Sequence, residues 1–76
     1  MKNKIIDILN KIRPEFDFNI ETNYITQGLL DSFDLITLVT ELDETFGISI
    51  DGTDIIPDNF ESANAIEILL KKNGVI

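Results

Sequence analysis

Apolar positions repeat near 3.6 residues in three stretches of the chain and lose that period between them. Ile5, Ile8, Leu9 and Ile12 form one stripe, with Lys4, Asp7, Asn10 and Lys11 on other faces. This predicts a first helix that ends at Pro14, whose ring disfavours a helical conformation at Arg13 and removes a backbone donor. A second stripe, Leu35, Ile36, Leu38, Val39, Leu42 and Phe46, predicts an amphipathic helix over 34–46, with Ser32 as its N-cap and Gly47 as its stop. A third runs through Ala63, Ile66, Leu69 and Leu70, with Ser62 as cap. Lys71 and Lys72 then lie at the negative end of the helix dipole, and Asn73-Gly74 ends the element.

Residues 14–31 hold no helical period, yet they carry Phe16, Phe18, Ile20, Tyr24, Ile25, Leu29 and Leu30. The alternation of Phe16, Phe18 and Ile20 has no second strand to pair with, so the stretch is expected to be an ordered loop pinned by its apolar side chains, and long ordered loops are commonly functional. Gly28 supplies a backbone turn. Ile48-Ser49-Ile50 crosses to Asp51-Gly52-Thr53, and Asp54-Ile55-Ile56 makes one short helical turn before Pro57. Thr53 and Ile55 stand where a calcium loop beginning at Asp51 needs Asp or Asn, which excludes an EF-hand.

These elements predict an all-α fold, a small up-and-down bundle of three longer helices and one short helix with a long first loop. The expected core is Ile5, Ile8, Leu9, Ile12, Ile36, Val39, Leu42, Phe46, Ile66 and Leu70, with Leu35, Ile55, Phe60 and Leu69 lining a soft cavity.

At 76 residues the chain is read as a single domain over 1–76, too small for a deep catalytic cleft. It has no cysteine and no histidine, which excludes disulfides, thiolate metal sites, a cysteine nucleophile and a Ser-His-Asp triad within the chain. An enzyme is therefore not expected. The net charge is −8, and its distribution says more than its sum: every cation lies at Lys2, Lys4, Lys11, Arg13, Lys71 or Lys72. Such a surface repels nucleic acid and anionic lipid and favours protein partners with basic faces. The positive start Met1-Lys2-Asn3-Lys4 is followed by Asp7, Asn10 and Lys11, which a secretory segment does not tolerate, and no apolar run approaches a membrane span. A cytoplasmic monomer without membrane insertion is the expectation.

One tract adds chemistry. Gly28-Leu29-Leu30-Asp31-Ser32-Phe33-Asp34 sets a single hydroxyl at the mouth of the second helix. Serine at a helix start is common as a cap, so the tract gains meaning from its turn-rich approach, from the acids along the helix and from the lack of any other reactive group. On these residues the chain resembles the acyl carrier proteins from its first helix to Ile76. In that family the serine of an Asp-Ser-Leu motif receives 4'-phosphopantetheine from coenzyme A, and the thiol of the arm carries acyl or aminoacyl groups as thioesters. Phe33 departs from the usual leucine, and Thr37 stands where housekeeping fatty-acid carriers have glutamate. The Gly-Leu-Leu-Asp-Ser stem looks like the D-alanyl and peptidyl carrier branches.

The resemblance implies a stand-alone carrier with the arm on Ser32, serving lipid, polyketide, peptide or cell-envelope biosynthesis. It implies as partners a phosphopantetheinyl transferase, an acyl- or aminoacyl-loading ligase or adenylation enzyme, and downstream transferases. Asp31, Phe33, Asp34, Glu41, Asp43 and Glu44 are the expected partner contacts. Asp31 and Asp34 also suit the positive end of a helix dipole on their own account, and Phe33 suits either a partner contact or a staple onto the loop. The competing reading is an acidic interaction module that is never modified.

Overall fold

The computed structural model describes residues 1–19 and 23–75. Three α-helices, α1 (Lys2–Ile12), α2 (Ser32–Phe46) and α3 (Ala63–Lys72), are joined by the long first loop and, between α2 and α3, by two 3-10 turns, Gly52–Asp54 and Pro57–Phe60. No strand occurs among the described residues. None of the described helices is long and apolar enough to cross a membrane. α1 packs against both α2 and α3, so it is the central post of the bundle.

Each helix end has an identifiable cause. Arg13 leaves the helical region ahead of Pro14, with φ −133° and ψ 79°, while its N–H still bonds the Leu9 carbonyl. Gly47 takes the left-handed conformation (φ 65°) that closes α2 without a Cβ penalty. The Ser62 hydroxyl accepts from the Ala65 N–H at the start of α3, as the sequence predicts. Between α2 and α3 the expected single turn over Asp54–Ile56 is replaced by two. Asp51 caps the first by accepting from the Thr53 N–H, which starts it early, and Pro57 opens the second, because a preset φ suits a first helical position.

The core holds Ile5, Ile8, Leu9, Val39, Leu42, Ile66 and Leu70, all buried as expected, with Ile12 and Phe46 half-buried at its rim. Ile36 is the correction: it is 63% exposed. The buried stripe of α2 is Leu35, Leu38, Val39 and Leu42, and Ile36 sits roughly 100° around the helix from Leu35, outside that stripe. The residues expected around a soft cavity sit in or against the core: Leu35, Phe60 and Leu69 are buried in it and Ile55 packs against it. A cavity of about 260 Å³ lies elsewhere, between the N-terminal ends of α1 and α3, lined in part by Lys2, Ile6, Phe18, Tyr24 and Ala63.

The first loop is ordered around Tyr24. Its ring stacks edge-on against Phe18 at 5.0 Å, and Phe18 meets Phe16 edge-on at 6.3 Å. Its hydroxyl donates to the Phe18 carbonyl at 2.7 Å, and its own carbonyl accepts from Leu29 and Leu30. Its N–H donates to the Glu61 carbonyl, while the Glu61 carboxylate accepts from the Ile25 and Thr26 N–H groups and the Thr26 hydroxyl. Phe18, Tyr24, Leu29 and Leu30 are buried, Phe16 and Ile25 pack against them, and Gly28 makes its turn at φ 80°. Ile20, part of the same expectation, lies outside the described residues.

Tyr24→Phe removes the only atom that donates from that ring and leaves the buried Phe18 carbonyl without this partner. We expect a loss of about 1–3 kcal/mol in urea unfolding, with a lower melting temperature. Stability equal to the parent chain would show that the loop does not hang on this bond.

Candidate functional site

The N-terminus of α2 is built by a reciprocal pair. The Asp31 carboxylate accepts from the Asp34 N–H at 2.9 Å, and the Asp34 carboxylate accepts from the Asp31 N–H at 3.0 Å, a capping box made from two aspartates. Asp31, in extended conformation, is therefore the N-cap, and Ser32 is the first residue of the helix. This corrects the expectation that Ser32 caps α2. An aspartate one residue earlier, with a carboxylate three residues after it, competes better for the free N–H groups and releases the serine side chain.

Arg13 completes the arrangement from the end of α1. Its Nε donates to Asp34 Oδ2 at 2.9 Å, Nη2 lies 3.5 Å from Asp31 and Nη1 lies 3.4 Å from Glu15. Asp34 Oδ2 thus receives both the Asp31 N–H and the guanidinium. The Asp31 carboxyl is held below the usual carboxylate range, first by the Asp34 N–H and then by the Arg13 charge. Arg13 is in turn pushed up, chiefly by its bond to Asp34.

The described hydroxyls sort themselves by partner. Ser62 caps α3, Thr26 binds Glu61, and Thr53 binds Asp51. Thr37 and Thr40 donate back to the carbonyls of Phe33 and Ile36, and Tyr24 is buried. Ser32 is exposed and, among the described residues, forms no side-chain hydrogen bond. Thr45 and Ser49 are exposed too, but Thr45 sits in the last turn of α2, at the negative end of its dipole, and Ser49 follows that end. Among the described hydroxyls, Ser32 alone combines exposure with a helix N-terminus, where free N–H groups and the dipole suit a phosphodiester. The residues present therefore fit a covalent phosphate-linked arm.

Of the other expected site residues, Phe33 is 80% exposed, so it is no staple onto the loop. Asp31 and Glu44 are exposed. Asp34 is buried and committed inward, Glu41 pairs with Lys11 at 3.5 Å, and the Asp43 carboxylate accepts from the Ile50 N–H, tying the segment after α2 back to the helix. The face of α2 that starts at Ser32 is therefore Phe33, Ile36, Thr37 and Thr40, uncharged until Glu44. Arg13, Ile36 and Glu61 were not among the expected site residues. Pro14 signals only that α1 ends at Arg13, not where the Arg13 side chain goes; the spacing Asp31-x-x-Asp34 is the box pattern that the sequence does offer.

Comparison with known proteins places the chain in a family. Residues 2–70 match the family model described as a phosphopantetheine attachment site. The D-alanyl carrier protein of Lactococcus lactis subsp. cremoris (strain MG1363) is 32% identical over 68 residues, which span 87% of this chain and 86% of that one. The D-alanyl carrier protein of Lactococcus lactis subsp. lactis (strain IL1403) is 31% identical with the same coverage. No solved structure matches significantly. The chain belongs to the phosphopantetheine-binding carrier protein family, near its D-alanyl carrier branch. It bears a covalent 4'-phosphopantetheine whose thioester-linked cargo is an acyl or aminoacyl group.

Because the Asp31 carboxyl is held low in the folded chain, it contributes stability above about pH 4, its unfolded range, and loses that contribution as pH falls through its lower folded value. Asp31→Asn keeps a capping oxygen and removes the charge. The parent chain should melt above D31N at pH 7, and thermal melts should converge below about pH 4. A gap of constant size down to acid pH would contradict the charge's role.

Proposed function

We propose that Ser32 is the attachment residue, that the cargo is an aminoacyl group such as D-alanine, and that partner enzymes read the uncharged N-terminal face of α2. The observation that carries this is the free, exposed hydroxyl of Ser32 within Gly28-Leu29-Leu30-Asp31-Ser32, in a chain with attachment-site similarity over residues 2–70. The cargo reading rests on the similarity to two D-alanyl carrier proteins.

When bound, the arm supplies the thiol that the cysteine-free chain lacks. The chain's part is to present an oxygen. Ser32 Oγ bonds to phosphorus of the coenzyme A pyrophosphate, the nucleotide portion leaves with the electron pair of the broken P–O bond, and the hydroxyl proton passes to a base. Asp34 is engaged with Arg13 and the Asp31 N–H, and Asp31 with the Asp34 N–H, so that base is read as the transferase's own. The chain is a carrier and not a catalyst, acting as a monomer among cytoplasmic enzymes.

Any enzyme that reaches Ser32 also covers the first turns of α2, where Phe33 and Ile36 expose apolar surface. Apolar contact therefore anchors the partner, with Asp31 and Glu44 supplying charge at the rim.

Incubation with coenzyme A and a broad-specificity phosphopantetheinyl transferase should add one arm to the parent chain and none to Ser32→Ala, read by intact mass. An arm on S32A would overturn the assignment. Phe33→Ala with Ile36→Ala should slow transfer roughly tenfold, the equivalent of about 1.4 kcal/mol, with the melting temperature nearly unchanged. Transfer at the parent rate would place the docking face elsewhere.

A further inference from the structure

We propose that Arg13 is a positioning residue of the attachment site: through Asp34 it sets the first turn of α2 against the end of α1, and so fixes where the Ser32 hydroxyl is presented. This rests on Ser32 being the modified residue.

Three observations lead there. First, Arg13 is the C-cap of α1, outside helical geometry because Pro14 follows, so its side chain leaves from the end of one helix towards the start of another. Second, its strongest bond, Nε to Asp34 Oδ2 at 2.9 Å, goes to the same oxygen that accepts the Asp31 N–H. The capping box around Ser32 and the post of the bundle are thereby one hydrogen-bonded unit, closing a separation of 21 residues. Asp34 is buried and cannot swing to another cation without breaking the box. Third, the guanidinium faces both carboxylates that flank Ser32. An incoming pyrophosphate is anionic, and a nearby arginine offsets the repulsion that Asp31 and Asp34 would exert on it.

The remaining cations that pair in the structure act elsewhere: Lys11 with Glu41 along α2, and Lys72 with Asp54 at the far end of α3. Among the described residues, Arg13 is the cation that joins the loop's two ends at the serine. A hydroxyl displaced by about 1 Å can lose on the order of a hundredfold in rate, which makes a single latch at this place kinetically visible.

Arg13→Gln and Arg13→Lys would be compared with the parent chain, with Ser32→Ala and with Ser62→Ala, which removes the cap of α3 away from this latch. Modification by a broad-specificity transferase with coenzyme A is followed by mass, at a temperature where circular dichroism shows every variant folded. R13Q should lose at least about tenfold in kcat/KM for the carrier. R13K, which can restore one charged bond to Asp34, should recover most of the loss. S62A, although destabilised, should be modified at the parent rate. The proposal is overturned if R13Q keeps the parent kcat/KM, if R13K is as slow as R13Q, or if S62A slows as much. Modification of S32A would instead remove the reading on which it rests, and the Arg13 assignment with it.

Discussion

Tyr24 is the residue on which the layout depends. The chain spends residues 13–31 on a loop between α1 and α2, and ordering a loop of that length carries an entropic cost that its contacts must offset. Tyr24 concentrates those interactions: a buried ring, a hydroxyl on the Phe18 carbonyl, a carbonyl that gathers Leu29 and Leu30, and an N–H on Glu61 ahead of α3. Leu29 and Leu30 lead directly into Asp31. The residue that organises the loop therefore delivers the chain to the Asp31–Asp34 capping box where α2 begins, and that box leaves the Ser32 side chain free.

Charge is used locally rather than as a uniform coat. All cations lie outside residues 14–70, yet Arg13, Lys11 and Lys72 fold back onto Asp34, Glu41 and Asp54. The acids along α2 thus divide. Asp31, Asp34 and Asp43 hold the helix ends, Glu41 is paired, and Glu44, with the exposed side of Asp31, faces solvent. The outward surface beside Ser32 is Phe33 and Ile36, which suits partners that bury apolar area at the centre and meet charge at the rim.

Periodicity revealed the helices because stripe and cap signals agreed: Ser62, Gly47 and Pro14 each end or begin an element as their chemistry requires. It missed where two signals compete. Asp31 and Ser32 are both good caps, and only the position of a second carboxylate three residues after Asp31 decides between them. Ile36 looks like core when the stripe is read loosely, and a shift of one residue turns it outward. Pro57 was read as a stop where it is a start. The candidate serine was legible from its tract. Arg13 was not, because an ion pair across 21 residues leaves no local pattern.

On the reading proposed above, this carrier holds its arm on one hydroxyl, that of Ser32. The most direct measurement is fragment-ion mass spectrometry of the chain purified from cells that produce it together with a phosphopantetheinyl transferase. One arm's mass is expected on every fragment that contains Ser32 and on none that lacks it. An arm located on Thr45, Ser49 or any other side chain would contradict it, as would a chain recovered wholly unmodified.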